Sequence, residues 1–285
     1  MSRDIASADG FVNRHSLFQI ITSLVPAGAE RLVVHLLEHV NRERFAPVCI
    51  CLGNPVGSHL EARVQQLGVP LHFLGKGDKM SLEVLRKLDA LFRQYRPAVV
   101  HTHLLALNYA YPLMLRYRTP ARVYTVHNLA EKDMGLRTAP MVRALAFRYR
   151  IGGVVPVAIA EEVRASIQQL YGYPDPPLIP NGVPTDEYAP DPDIRAQWRQ
   201  AHAIEPHATV LTHIGRFAVQ KNHALLISAS SRFWMSCSIA STALSSTSML
   251  TGRLRHETTM PCRILLRSNG SRRPSFLTTI RGRSS

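Results

Sequence analysis

Two cations flank a strand–turn–helix pattern in HIGRFAVQKNHALLI (213–227). A short apolar strand, Val210 to Ile214, leads through a Gly-Arg turn into the opening of a helix. Helix N-termini present unpaired N–H groups and a partial positive charge, so this arrangement suits phosphate binding. Arg216 adds a planar guanidinium and Lys221 a point charge on either side of the turn. The alternative is an ordinary strand–turn–helix with two solvated cations.

Three histidines fall at the ends of predicted strands. His101 and His103 alternate within VHTHL (100–104), and His127 ends the next strand in TVHN (125–128). In parallel sheets the carboxyl ends of strands border the ligand crevice. No carboxylate or cysteine stands at metal-ligand spacing, and a strand-end histidine is more often packed and hydrogen-bonded. We therefore interpret His101 and His103 as structural.

Strands alternating with helices position these residues, which predicts an α/β fold with a parallel sheet covered on both faces. Right-handed crossovers make it Rossmann-like. The predicted strands are 17–24, 47–52, 69–74, 98–103, 121–127 and 151–160, and the predicted helices are 29–40, 58–67, 82–95 (capped by Ser81), 105–117, 137–150 and 159–170. A helix at 193–203, the strand 208–214 and a helix from Asn222 would open a second such domain.

The pattern predicts four segments: a loose N-terminus (1–15), a first domain (16–190), the start of a second (191–227) and a tail (228–285). Proline and glycine cluster before the boundary at 190. Of the 58 tail residues, 30 are Ser, Arg or Thr, without helical or alternating periodicity. We expect this tail to be disordered. A shifted reading frame near Ile227 would explain it, because the break falls inside a helix; a genuine Ser/Arg tail is the alternative.

Charge and apolar runs exclude several classes of protein. The net charge of +14 is concentrated in the tail and in residues 86–150, with no aromatic–basic interleaving, so we expect no nucleic-acid partner. The longest uncharged apolar run, 151–160, is about half of a membrane span. Four cysteines form neither a zinc pattern nor a disulfide framework, and no signal peptide opens the chain. A cytoplasmic location is the expectation.

Five segments, in order, resemble retaining glycosyltransferases of the family 4 type, which have the GT-B fold. They are PAGAER (26–31), VHTHL (100–104), TVHN (125–128), IPNGVPTDEY (179–188) and the Gly-Arg…Lys-x-His pattern that ends at His223. The resemblance covers residues 16–227 and then stops. Several matches in the order of the family are far more specific than any one of them.

The resemblance implies transfer of a sugar from a nucleotide-diphosphate donor to a glycan or lipid-linked acceptor, with retention and without a metal or other cofactor. Arg216 and Lys221 would stabilise the departing diphosphate, and His127 would contact the sugar. The remaining residues that it implies for substrate binding are Gly28, Ala29, Glu30, Asn128, Asn181 and Gly182. Ala27 stands where the first glycine of the phosphate-facing loop is usual. The Asn-Gly pair lies at the domain junction and shapes the cleft.

One part of the family pattern is absent. Members carry two glutamates, separated by seven residues, in the donor domain, whereas Glu257 is the only acid after residue 205. We therefore expect little or no activity from this polypeptide. The rival hypothesis is a non-catalytic module that binds an acceptor or an anionic membrane. The basic stretch 86–150 would make the membrane contact, and an equally good interpretation of that stretch is a set of solvated helix faces. A sugar epimerase or a dehydrogenase is disfavoured, since neither group's residues are present.

Overall fold

The computed structural model describes residues 14–78, 80–133, 138–205, 210–214, 222–229, 262–267 and 277–280. The chain divides into two compact units, Met1–Thr185 and Asp186–Ser285. The division falls five residues before the boundary that the sequence predicts.

The first unit contains a six-stranded parallel sheet. Its strands are β1 His15–Ile21, β2 Phe45–Cys51, β3 Leu71–Phe73, β4 Val99–His103, β5 Ala121–Val126 and β6 Val154–Ala158. The strand order is β3-β2-β1-β4-β5-β6, so the direction of winding reverses between β1 and β4. This order confirms the predicted Rossmann-like architecture.

Six helices connect and follow these strands: α1 Gly28–His39, α2 His59–Gln66, α3 Leu82–Tyr95, α4 Ala106–Arg116, α5 Ala139–Arg150 and α6 Glu161–Tyr171. Two of the helices begin at a serine cap. The side chain of Ser81 accepts from the backbone N–H of Val84, and the side chain of Ser58 accepts from that of Glu61. The α3 bounds match the prediction to the residue.

Two predicted strands are longer than the observed ones for local backbone reasons. β6 begins at Val154 rather than at residue 151, because Gly153 has a φ of +70° that no strand residue adopts. β3 begins at Leu71, directly after Pro70, which has no N–H to donate to a ladder.

The sheet is packed on both faces. One core contains Phe18, whose ring meets that of Phe92 edge-on at 5.3 Å. The opposite core lies against α1 and α2 and contains Cys49 and Cys51, both fully buried free thiols. The pKa of the Cys51 thiol is raised, mainly by its hydrogen bond with Cys49 and secondly by burial.

The second unit contains helix α7 (Pro192–Ala201) and a three-stranded sheet of β7 (Val210–Ile214), β8 (Cys262–Arg267) and β9 (Leu277–Ile280). A short helix over 223–229 agrees with the predicted start near Asn222. β8 pairs parallel with β7 and antiparallel with β9.

The strands β8 and β9 lie in the segment for which we expect disorder, so the structure corrects that expectation at these ten residues. β7 supplies the hydrogen-bond partners of β8, and β8 supplies those of β9; the sequence of an isolated short run does not reveal such partners. None of the helices that the structure describes is long and apolar enough to cross a membrane.

Candidate functional site

The candidate site lies at the carboxyl edge of the first unit's sheet, where the strand order reverses between β1 and β4. Open α/β sheets bind ligands at such a reversal because the loops after the two strands diverge there and leave a crevice. Polar side chains on three adjacent strands, β1, β4 and β5, converge at this edge. The strand register places Gln19 beside His101, and His103 beside Thr125.

Helix α1 begins after the loop that follows β1. Gly28 is its first residue and is exposed, and a Cβ atom there would meet nothing within 4 Å. Glu30 stands in the first turn and is 7% exposed. The first turn of a helix leaves backbone N–H groups without intrahelical partners, so an anion finds hydrogen-bond donors here. The structure thus places Gly28, Ala29 and Glu30 in a helix opening at the edge that carries the histidines.

Three histidines and a glutamine form one connected cluster on neighbouring strands. His103 Nδ1 lies 3.0 Å from His127 Nε2, and His103 Nε2 lies 3.0 Å from Gln19 Oε1. His101 Nε2 lies 2.8 Å from the hydroxyl of Thr125. The His101 and His103 ring centroids are 4.2 Å apart, and the ring planes are tilted by 42° to each other.

Burial keeps this cluster uncharged at neutral pH. Burial, and then the neighbouring His127, lower the pKa of His101 to about 3. Burial lowers the pKa of His127 to about 4 and holds that of His103 well below its ordinary value. Adjacent imidazoles in a desolvated site oppose each other's protonation, so the cluster offers hydrogen-bonding groups and no cation.

The loop after β5, which carries His127 and Asn128, is fastened to the unit at two points. The hydroxyl of Tyr124 donates to the carboxylate of Asp133, which is 1% exposed, and burial raises the pKa of Asp133 to about 6. The backbone N–H of Ala130 donates to Ser166 Oγ at 3.0 Å. Both anchors are buried, so the backbone beside His127 is held in one position.

The loop after β2 lies along the same edge of the sheet and is also restrained. The carboxylate of Glu61, 5% exposed, accepts the backbone N–H groups of Val56 and Gly57, each at 2.8 Å. The hydroxyl of Ser58 donates to the carbonyl of Leu24 in the loop after β1, at 2.7 Å. The crevice edge therefore has a defined shape on both sides of β1.

The structure brings together part of the predicted site. His127 joins His103, which we interpreted as a structural residue separate from the site. Asn128 is exposed beside His127, and Asn181 and Gly182 are exposed a few residues before the division between the units. Arg216 and Lys221 lie outside the described residues, so their placement stays a prediction.

Sequence reasoning missed Gln19 and Asp133. Gln19 carried a signal, because it is a polar residue inside an apolar strand, whereas Asp133 in a loop carried none. Among the residues that the structure describes, no group of three His, Cys, Asp or Glu side chains is placed to hold a metal ion.

A comparison with protein families gives one match, to Glycosyltransferase Family 4, over residues 26–187. This range is more than half of the chain and contains the helix opening at Gly28 and the histidine cluster. The chain belongs to Glycosyltransferase Family 4. A comparison with curated proteins gives no match.

Several solved structures share the fold of this family 4 chain. The Anabaena HepE protein, solved in complex with UDP-glucose, has 17% identity and a TM-score of 0.61, with 76% of this chain and 57% of that one covered. A glycosyltransferase from Rickettsia africae has 17% identity and a TM-score of 0.62, with 78% and 58% covered. The chain thus spans less than two thirds of these relatives' length. The likeness supports the GT-B-like architecture.

Proposed function

We propose that this chain derives from a glycosyltransferase that moves a sugar from a nucleotide-diphosphate sugar to a glycan or lipid-linked acceptor, with retention of configuration. The observation that carries the proposal is the family match over 26–187, which includes the crevice edge. The Anabaena relative was solved with UDP and with UDP-glucose, which favours a uridine nucleotide sugar as the first donor to test.

In this proposal, the residues divide the work by chemistry. His127, neutral and partly buried at the strand end, contacts the sugar. The helix opening at Gly28 offers N–H donors to the diphosphate. Arg216 and Lys221 stabilise the negative charge that develops on the leaving diphosphate, so the mechanism assigns no role to a metal. Asn181 and Gly182 supply the backbone geometry of the junction.

The proposal is tested by calorimetric titration of the 285-residue polypeptide with UDP-glucose, and with UDP alone. We expect saturable binding of both nucleotides. The matched variants are Arg216→Ala and, as a control, Arg195→Ala, an exposed arginine on α7. Loss of binding in Arg216→Ala but not in Arg195→Ala would support the proposed role of Arg216. No binding of any nucleotide sugar by the parent chain would reject the proposal.

We also propose that this polypeptide transfers sugar very slowly or not at all, because Glu257 is the only acid after residue 205. Translation of the coding DNA beyond Ile227 in all three frames tests the origin of the tail. A frame that contains the paired glutamates within an alternating α/β pattern would identify a shifted frame. Stops in both other frames would show that the tail is genuine and would favour a non-catalytic binding module, whereas UDP release by the purified chain in the presence of acceptor would contradict the proposed lack of transfer.

A second candidate function is a non-catalytic module that binds an acceptor or an anionic membrane surface, and an exposed face of α5 favours it. Phe147 on α5 and Ile151, which directly follows the helix, are 52% and 74% exposed. Arg143 and Arg150 lie four and three residues from Phe147, on the same side of the helix. Exposed apolar groups flanked by arginines suit peripheral attachment to anionic lipid.

Co-sedimentation with phosphatidylserine vesicles tests this second candidate. We expect binding that weakens in the Phe147→Ser variant and is kept in Met80→Ser, which alters an even more exposed apolar residue elsewhere. Equal sedimentation with uncharged phosphatidylcholine vesicles would exclude an electrostatic membrane surface.

A further inference from the structure

In the hydrogen-bond chain Gln19–His103–His127, the buried residue Gln19 determines which atom of each pair donates and which accepts. The amide oxygen of Gln19 accepts hydrogen bonds and donates none, so the nitrogen that faces it, His103 Nε2 at 3.0 Å, carries the proton. His103 is 0% exposed, and burial holds its pKa well below the ordinary value, so the ring is neutral. A neutral ring with a proton on Nε2 has a bare Nδ1.

The protonated nitrogen of His103 in turn determines which nitrogen of His127 is protonated. The bare Nδ1 of His103 accepts from His127 Nε2 at 3.0 Å, so His127 is protonated on Nε2. His127 is also neutral, because burial lowers its pKa to about 4. Its own Nδ1 is then a bare acceptor. Within the part of the chain that the structure describes, no residue donates to this nitrogen.

We infer that Gln19 and His103 are positioning residues that hold His127 in the Nε2–H tautomer, with Nδ1 presented as an acceptor for a sugar hydroxyl. A neutral acceptor matches an O–H donor and offers nothing to a phosphate, which separates the sugar from the diphosphate end of a donor. The identity of the ligand rests on the proposed function, whereas the tautomer is a property of the ligand-free chain.

The backbone supports this assignment. Gln19, His103 and His127 belong to or directly follow the adjacent strands β1, β4 and β5, so the paired strands fix the separations of the three side chains. The anchor between Tyr124 and Asp133 restrains the loop that follows His127. A tautomer fixed before binding saves the ligand the cost of reordering the ring.

Long-range proton–nitrogen NMR correlations on ¹⁵N-histidine-labelled full chain test the inference. We expect a single Nε2–H tautomer for both His103 and His127 in the parent protein. In Gln19→Leu we expect the two ring nitrogens of His127 to move toward a common averaged shift. The matched control is Gln66→Leu, an exposed glutamine on α2, which should leave the signals unchanged.

An Nδ1–H tautomer at His127 in the parent protein overturns the inference, and so does an unchanged His127 signature in a folded Gln19→Leu variant. If Gln19→Leu fails to fold, His103→Leu serves in its place with the same expected averaging. Titration with UDP-glucose then tests the ligand. We expect a shift of His127 Nδ1 in the parent and about tenfold weaker binding in the variant, the effect of about one lost hydrogen bond. No response to UDP-glucose, with the tautomer in place, rejects the proposed donor while the ligand-free spectrum supports the positioning role.

Discussion

Acidification from pH 7 to pH 5 should destabilise the first unit through its buried histidines. His127 has a native pKa of about 4, below its ordinary value of 6.5. The unfolded chain therefore binds more protons between these values, so stability is fully present above pH 6.5 and falls as the pH decreases toward 4. At 1.36 kcal/mol per unit, the complete loss from this one residue is about 3 kcal/mol, and about 2 kcal/mol of it is reached by pH 5.

Asp133 opposes this trend. Its native pKa is raised to about 6 from an ordinary value of 3.8, so the native state binds more protons than the unfolded state between these values. The stability that it contributes is present at low pH and is lost as the pH rises through 6. Between pH 7 and pH 5, protonation of Asp133 adds about 1 kcal/mol to the free energy of unfolding. The histidines outweigh it, because His101 and His103 add losses in the same direction as His127.

Urea unfolding followed by far-UV circular dichroism, repeated across this pH range, measures the balance. We expect His127→Gln to reduce the loss of unfolding free energy between pH 7 and pH 5 by about 2 kcal/mol, and Asp133→Asn to increase it by about 1 kcal/mol. The comparison uses pH slopes and not absolute stabilities, since both variants alter packing. A stability that rises on acidification, or a His127→Gln slope equal to that of the parent, would refute the reasoning.

Three substitutions probe the anchors of the fold, each by the urea midpoint. A methyl group at Gly152 would lie 2.2 Å from the Tyr111 hydroxyl, so Gly152→Ala should lower the free energy of unfolding by about 1–3 kcal/mol. The control Gly77→Ala, whose added methyl group would meet nothing within 4 Å, should leave it unchanged. Equal urea midpoints for the two variants would contradict this prediction. Glu61→Gln keeps the side-chain volume but exchanges one acceptor oxygen for a donor, and should cost about 2 kcal/mol; no change would mean that water replaces the lost bond. Ser166→Ala strands a buried backbone N–H and should cost about 1–3 kcal/mol, and a neutral result would show that the loop after β5 has another anchor.

Local signals predicted most of the first unit. The leucine stripe of α3 and the cap at Ser81 fixed that helix to the residue, and glycine and proline explain why β3 and β6 are shorter than expected. These features depend on neighbours in sequence, where periodicity and caps are readable. In the second unit, β8 depends on pairing with β7 and β9 on pairing with β8, and the sequences of these two strands carry no comparable local signal.

The site was less predictable because it is made across strands. His127 was expected at the sugar side, but its contact with His103 depends on the register of β4 against β5, and the contact of His103 with Gln19 joins residues 84 positions apart. Strand register is set by the whole sheet and cannot be read from one segment. The anchor of Asp133 to Tyr124 was missed for a related reason, since a loop carboxylate gives no sign that it folds back into a core.

The reactivity of the two thiols on β2 can be used to measure how often this part of the sheet opens. Alkylating reagents attack the thiolate, and Cys49 and Cys51 are fully buried between β1 and β3, so neither reacts while the strand stays paired. The rate at which iodoacetamide labels the peptide that carries them measures how often β2, the second strand from one edge of the sheet, separates from its neighbours. Mass spectrometry separates this peptide from those of Cys237 and Cys262. Every substitution considered above could thus be ranked by local opening rate without any added probe.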